Sequence, residues 1–194
     1  MMRGRLLQAM QSRPRLRYSS LVNVVWEGNS LVAGVGATGG QTLPVQCAAA
    51  APLAGSGATA STNFAVSGAT WTDISNRAAS VDAAWANGKK NILVLWEHVN
   101  SICGAGMTAQ QSATAMRNYI AARRAVHPWI VVALTTLPCE GYAGVMTNQT
   151  IRDNLNAVMS ACDALVKSSP SAYGVDALVD VRGAGSVFVP LPRA

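Results

Sequence analysis

The distribution of apolar residues along the chain limits the fold more than any other feature of the sequence. Short runs rich in Val, Ile and Leu alternate with longer segments in which apolar residues recur at helical spacing. This alternation is typical of a parallel sheet flanked by helices. We therefore expect one α/β domain, a Rossmann-like three-layer sandwich with a five-stranded parallel sheet. The predicted strands are 21–26, 63–66, 92–96, 130–135 and 177–181, and the predicted helices are 43–51, 71–85, 109–126 and 148–168.

The basic residues are unevenly distributed over the 194 positions. Five of the fifteen, all arginines, lie within residues 1–20, which contain no acidic residue, and the others are scattered. We interpret 1–20 as a basic N-terminal arm, 21–182 as the domain and 183–194 as an extended C-terminal tail. Because the net charge of +6 forms no continuous patch on the domain, we expect no nucleic-acid partner.

Several other classes of protein are not expected from this sequence. No apolar run is long enough to span a membrane, and the arm lacks the apolar core of a signal peptide. The glycine-rich segment 34–40 lacks the spacing and the lysine of a nucleotide-binding loop. The four cysteines are far apart and no histidines cluster, so neither a disulfide scaffold nor a zinc site is indicated. We expect no cofactor and no metal.

The candidate functional residues lie on three loops that follow predicted strands. Ligand sites of open parallel sheets lie at the carboxyl ends of the strands. The first contains Ser30 on a tight strand-to-helix turn, where a hydroxyl is held clear of the sheet. The second contains Gly68 and the third contains His98 and Asn100. We expect Ser30, Gly68 and Asn100 to converge at one cleft.

These three blocks, in this order, resemble the SGNH/GDSL family of serine esterases. The resemblance rests on Glu27-Gly28-Asn29-Ser30-Leu31, on Ser67-Gly68-Ala69-Thr70 and on Trp96-Glu97-His98-Val99-Asn100-Ser101. It implies that Ser30 is the nucleophile, that Gly68 offers its N–H to an oxyanion and that Asn100 offers its side-chain amide. Three positions depart from the family pattern: Asn29 and Ser101 stand where Asp is commoner, and His98 stands where Gly is usual. The wording of Trp96-Glu97 and Val179-Asp180-Val181 is similar to SGNH-like proteins of bacteriophages.

The family's general base, a histidine in an Asp-x-x-His segment after the last strand, has no counterpart here. The chain has only two histidines, His98 and His127. His127 precedes the fourth predicted strand and should lie at the opposite edge of the sheet from Ser30. His98 is at the correct edge, so the base is His98, a residue of a partner chain, or absent. Without a base a serine hydroxyl is a poor nucleophile, and we expect weak hydrolysis at most.

Two functions from different classes remain open. The first is an SGNH-like serine hydrolase that acts on small acyl esters or acylated glycans such as acetylated polysaccharide, with impaired or unusual catalysis. The second is a catalytically silent structural or carbohydrate-binding protein, associated with a virion, that uses the esterase fold as a scaffold. The basic arm favours the second, and either the arm or the tail could contact a virion protein or another copy of the chain. The expected location is the virion or the cytoplasm.

The cysteines that follow the third and fourth strands, Cys103 and Cys139, should lie on loops at the same edge of the sheet. They are either bridged, which would staple one wall of the cleft, or two free thiols. Cys47 and Cys162 lie on apolar helix faces and are expected to be buried and unpaired.

Overall fold

The computed structural model of the chain describes residues 22–49, 60–139, 142, 144–182 and 188–190. The predicted basic arm 1–20 lies outside the described residues, as do parts of the predicted tail. The strands are β1 (Val22–Gly28), β2 (Ala60–Asn63), β3 (Lys90–Trp96), β4 (Ile130–Leu134), β5 (Ala177–Val179) and β6 (Phe188–Pro190). The α-helices are α1 (Ser30–Ala33), α2 (Leu43–Ala49), α3 (Trp71–Asn76), α4 (Ala78–Ala83), α5 (Ala109–Val126) and α6 (Gln149–Ser168). Two 3-10 turns (Thr38–Gly40 and Pro170–Tyr173) and a π-helix (Asn100–Gly104) complete the described elements.

The sheet has the strand order β2-β1-β3-β4-β5-β6. The first five strands are parallel, in agreement with the predicted five-stranded parallel sheet. Val25 lies beside Leu93 and Leu93 beside Val131, so the buried centres of β1, β3 and β4 are in line. The carboxyl ends of β1, β2 and β3 therefore meet at one edge of the sheet.

The strand β6 was not predicted, because its residues were assigned to an extended tail. Residues 188–190 pair antiparallel with β5, with Leu178 beside Val189. Without this partner β5 would be an edge strand with a row of unpaired backbone groups.

The second strand begins and ends earlier than predicted, at Ala60–Asn63 instead of 63–66. Residues 64–66 still run beside β1, since Phe64 N donates to Trp26 O at 2.9 Å and Val66 N donates to Gly28 O at 3.2 Å. The predicted segment is thus extended, but its contact with β1 is looser than in the regular strand.

Alternation along the strands divides the core into two faces. Val25, Leu93 and Leu95 point to the face that is covered by α3, α4, α5 and α6. Val24 and Val94 point to the other face, where α1 and α2 pack near β1. Ser30 is the first residue of α1 and follows the carboxyl end of β1.

The predicted helix 71–85 is interrupted, and α3 and α4 meet at Arg77. The backbone of Arg77 leaves helical geometry at φ −97° and ψ 5°. Its guanidinium donates at 2.8 Å to the fully buried carboxylate of Glu27. By contrast, α5 has its predicted bounds, because Thr108 and Gln111 form a capping box at its first turn.

Candidate functional site

The turn that carries Ser30 is short and closely packed. Strand β1 ends at Gly28, where an added Cβ would lie 2.5 Å from the Trp96 carbonyl oxygen, so no larger residue fits without displacement. Asn29 caps α1, with its Oδ1 accepting a hydrogen bond from Leu31 N at 2.9 Å. Ser30, the first helical residue, is half-buried and lies at the carboxyl edge of the sheet. This is the strand-turn-helix arrangement that the sequence predicts.

The second loop runs from β2 to α3 and contains Gly68. Gly68 is exposed and has φ +79°, a backbone conformation that favours glycine. Ala69 follows and is buried, and Thr70 caps α3 in a capping box with Asp73. A plain turn glycine would account for this geometry, so the predicted oxyanion role of Gly68 stays a prediction.

The third loop follows β3 and places Asn100 between the second loop and a tyrosine. The Asn100 Nδ2 donates to the Ala69 carbonyl at 2.9 Å, and its Oδ1 accepts from the Tyr142 hydroxyl at 3.0 Å. The side chain is buried and fixed at both ends. An amide nitrogen carries two N–H groups, so the bond to Ala69 uses one and leaves the other for a ligand.

Glu97 connects the third loop to the turn of Ser30. Its side chain is 1% exposed. Asn29 Nδ2 donates to its Oε2 at 2.7 Å, Ser101 N donates to its Oε1 at 2.8 Å, and Asn100 N donates to Oε2 at 3.3 Å. Burial raises the pKa of this carboxyl above its ordinary value, while these hydrogen bonds act in the opposite direction. The three loops are thus joined by hydrogen bonds between residues next to Ser30, next to Gly68 and at Asn100.

His98 is a core residue whose ring contacts α3, α5 and α6. Its ring is 3% exposed, and Nδ1 accepts from Trp71 Nε1 at 3.2 Å and lies 2.8 Å from Ser112 Oγ and 3.5 Å from Cys162 Sγ. Trp71 and Cys162 belong to the core on one face of the sheet, whereas α1 packs on the other. Burial lowers the pKa of His98 from 6.5 to about 3. This buried position and this lowered pKa disfavour His98 as a general base, and its role as the base of Ser30 stays a prediction.

His127 lies at the opposite end of β4 from the site. It ends α5 and precedes β4, and its ring stacks on Trp85 with centroids 4.8 Å apart. His127 therefore does not lie beside Ser30.

Two of the three residues that depart from the family pattern, His98 and Ser101, accept hydrogen bonds from Trp71. Ser101 Oγ accepts from Trp71 N at 2.9 Å, and His98 Nδ1 accepts from Trp71 Nε1. The third departure, Asn29, bonds Glu97. All three departures thus act as partners in hydrogen bonds that join the loops.

At the ends of β4 and β5, Asp180 and Arg182 take part in ionic contacts. Asp180 accepts from Thr135 Oγ1 at 3.0 Å and from Lys167 at 2.6 Å. Arg182 Nε donates at 3.0 Å to Asp163, a buried carboxylate. These contacts tie the segment after β5 to β4 and α6.

The remaining predicted features concern thiols, metals and membranes. No disulfide bond joins any of the four cysteines, which agrees with the unbridged alternative for Cys103 and Cys139. Cys162 is buried as expected, whereas the expected burial of Cys47 is wrong, because this residue is half-buried. Within residues 22–49, 60–139, 142, 144–182 and 188–190, no three His, Cys, Asp or Glu side chains cluster as metal ligands. No helix in this described part is both long and apolar enough to cross a bilayer.

An apolar groove of about 480 Å³ lies beside the third loop, between the π-helix and α6. Ile102 and Met107 form one wall, and Leu155, Val158 and Ala161 of α6 form the other. The groove therefore begins two residues after Asn100.

No protein-family model matches the chain, and no curated protein does. Similar solved structures exist, however. A member of the lipolytic G-D-S-L family from Veillonella parvula is 12% identical with a TM-score of 0.64, over 83% of this chain and 78% of that one. The SGNH-hydrolase esterase AlinE4 is 17% identical with a TM-score of 0.60, over 82% and 75%. Phospholipase A1 from Streptomyces albidoflavus is 17% identical with a TM-score of 0.52, over 79% and 77%. The chain therefore has the fold of the SGNH hydrolases.

Proposed function

We propose that the protein is an SGNH-like serine hydrolase of low activity that acts on acyl esters or acetylated polysaccharide. Ser30 is the nucleophile, and Gly68 N and Asn100 Nδ2 are the oxyanion donors. The observation that carries the proposal is the set of hydrogen bonds between the three loops, in which Asn100 Nδ2 bonds Ala69 O and Glu97 bonds Asn29. Preorganised donors beside a serine are what acyl transfer requires.

The substrate class is supported by the descriptions of similar structures and not by a pocket, because the apolar groove of about 480 Å³ beside Ile102 is not lined by Ser30, Gly68 or Asn100. The solved structures of similar fold are lipolytic proteins and esterases by their own descriptions.

The low activity follows from the positions of the histidines. Since His98 is in the core with a lowered pKa and His127 is at the far end of β4, neither imidazole is suited to accept the proton of Ser30. Loss of a base typically costs about 10⁴-fold or more in rate, while oxyanion stabilisation leaves a residual rate.

The experiment is hydrolysis of p-nitrophenyl acetate and butyrate with and without added imidazole, which can supply the missing base. We expect a weak rate that imidazole raises, after subtraction of the rate of imidazole alone. Ser30→Ala should abolish both the basal and the rescued rate, while Ser80→Ala, a change of an exposed serine on α4, should leave them intact. Turnover that persists in Ser30→Ala would contradict the mechanism.

The second candidate is a catalytically silent structural or carbohydrate-binding protein, associated with a virion. The same unsuitability of both histidines as a base favours it. Wild-type protein that is folded yet shows no hydrolysis above the Ser30→Ala variant, with or without imidazole, would support this candidate over the hydrolase.

A further inference from the structure

The buried carboxylate of Glu97 occupies a position between the two halves of the candidate site. We propose that Glu97 is a positioning residue that couples the turn of Ser30 to the loop of Asn100, so that the two cannot move independently. The inference rests on the proposed function for its catalytic meaning, whereas the coupling itself concerns the fold alone.

On the side of Ser30, the coupling passes through Asn29. Its side chain makes two hydrogen bonds of opposite sense: Oδ1 accepts from Leu31 N at 2.9 Å and Nδ2 donates to Glu97 Oε2 at 2.7 Å. If the Asn29 amide were flipped, its NH₂ group would face the Leu31 N–H and its oxygen would face the Glu97 carboxylate, so both hydrogen bonds would be lost. Glu97 therefore fixes the orientation in which Asn29 caps the first turn of α1, where Ser30 lies.

On the side of Asn100, the coupling passes through backbone N–H groups. Glu97 Oε1 accepts from Ser101 N at 2.8 Å and Oε2 accepts from Asn100 N at 3.3 Å. The Ser101 side chain also hydrogen-bonds Glu97, and only a group that accepts at both oxygens satisfies the Asn29 amide and the two backbone N–H groups. Gly28 of β1 already pairs with Trp96 of β3 at the end of the two strands. The Asn29–Glu97 hydrogen bond joins the next residue of each loop, just beyond the strands.

This arrangement makes a reciprocal exchange of amide and carboxylate informative. Glu97→Gln places an N–H against a donor, because the Asn29 amide and the backbone N–H groups of Asn100 and Ser101 all donate to the carboxylate. Asn29→Asp places a carboxylate against the carboxylate of Glu97. In the double variant Asn29→Asp/Glu97→Gln, the new Asp still accepts from Leu31 N, and the new Gln donates to it and accepts from Ser101 N. Of the two backbone N–H groups, Asn100 N alone loses its acceptor.

The experiment measures amide hydrogen exchange of the full chain at Leu31 and Ser101, relative to Leu93 in β3. We expect Glu97→Gln to speed exchange at Leu31, and Asn29→Asp to speed exchange at Ser101, each by about tenfold or more, since a mismatched buried charge-assisted bond is lost. The double variant should return both to within about threefold of wild type. Should Glu97→Gln fail to fold, Asn29→Ala with exchange at Ser101 tests the same link without a change of charge.

Asp163→Asn is the matched control, because Asp163 is a buried carboxylate that bonds Thr136 and Arg182. It should lower global stability and leave the relative exchange of Leu31 and Ser101 unchanged. The coupling would be overturned if each single variant changed amide exchange only in the loop that carries the substitution. It would also be overturned if the double variant exchanged as fast as the faster single variant.

The rate of Ser30 labelling by a fluorophosphonate separates this inference from the proposed function. With a functional serine, both single variants should label about tenfold more slowly and the double variant should recover. If wild-type Ser30 is not labelled at all, the proposed nucleophile is overturned, and the exchange measurement alone decides whether Glu97 couples the loops.

Discussion

Acid should weaken the folded protein through His98. The ring is 3% exposed among Trp71, Ser112 and Cys162, and burial lowers its pKa from 6.5 to about 3. Between these two values the unfolded chain binds a proton at His98 and the folded chain does not. The free energy of unfolding contributed by His98 is therefore present above pH 6.5 and is lost as the pH falls towards 3.

The size of this loss follows from the proton linkage. Well below the unfolded pKa, each unit of pH removes about 1.4 kcal/mol. From pH 7 to pH 5 the contribution of His98 should fall by about 2 kcal/mol, a large fraction of the stability of a small domain.

Three buried carboxyls act in the opposite direction and must be separated from this effect. Burial raises the pKa of Glu27, Glu97 and Asp163, so their contributions are present at low pH and are lost as the pH rises through the raised values. A comparison of wild type with His98→Gln cancels them, because both proteins retain all three. The glutamine can still accept from Trp71 Nε1.

The assay is urea unfolding monitored by tryptophan fluorescence at pH 7, 6 and 5. We expect the difference in unfolding free energy between wild type and His98→Gln to shrink by about 2 kcal/mol from pH 7 to pH 5. A difference that does not change with pH would refute the buried, neutral His98 and return it to consideration as the base.

Three further changes test the packing around the site by the same unfolding assay. Arg77→Gln leaves the buried carboxylate of Glu27 without its cation and should cost about 3 kcal/mol, more than the exchange of both partners for neutral residues. Gly28→Ala forces a Cβ against the Trp96 carbonyl and should cost about 1–3 kcal/mol, with slower labelling of Ser30; equal labelling would show that the turn tolerates the shift. Thr108→Ala removes the cap of α5 and should cost about 1 kcal/mol, whereas no loss would mean that the cap is replaced by solvent.

The parallel sheet could be predicted because its signal is local. Runs such as 92–96 and 130–135 are apolar at successive positions, as strands covered on both faces must be. The start of α5 could also be predicted from neighbouring residues, because Thr108 and Gln111 form a capping box at its first turn. In contrast, the interruption between α3 and α4 coincides with the ion pair of Arg77 and Glu27, which lies fifty positions earlier in the chain. The residues around position 77 alone do not predict this interruption.

The candidate site could be predicted in its loops but not in the directions of its side chains. The positions of Ser30, Gly68 and Asn100 after strands placed their loops at one edge. His98 follows β3 by two residues, and only its partners Trp71 and Cys162, from elements distant in sequence, turn it into the core. The sequence pattern predicted no binding or positioning role for Glu97. An acidic residue at the end of a buried strand was nevertheless a signal, since a buried carboxylate must find donors.

The most direct test of the proposed function is covalent labelling of the folded chain by a fluorophosphonate, with the modified residue located by peptide mass spectrometry. An activated serine reacts and an ordinary serine hydroxyl does not, and no substrate needs to be known. We predict a slow, time-dependent modification at Ser30 that is absent from unfolded protein and from Ser30→Ala and that persists in Ser80→Ala. A folded chain that remains unmodified at Ser30, or one that is labelled equally at other serines, would contradict the assignment of Ser30 as the nucleophile.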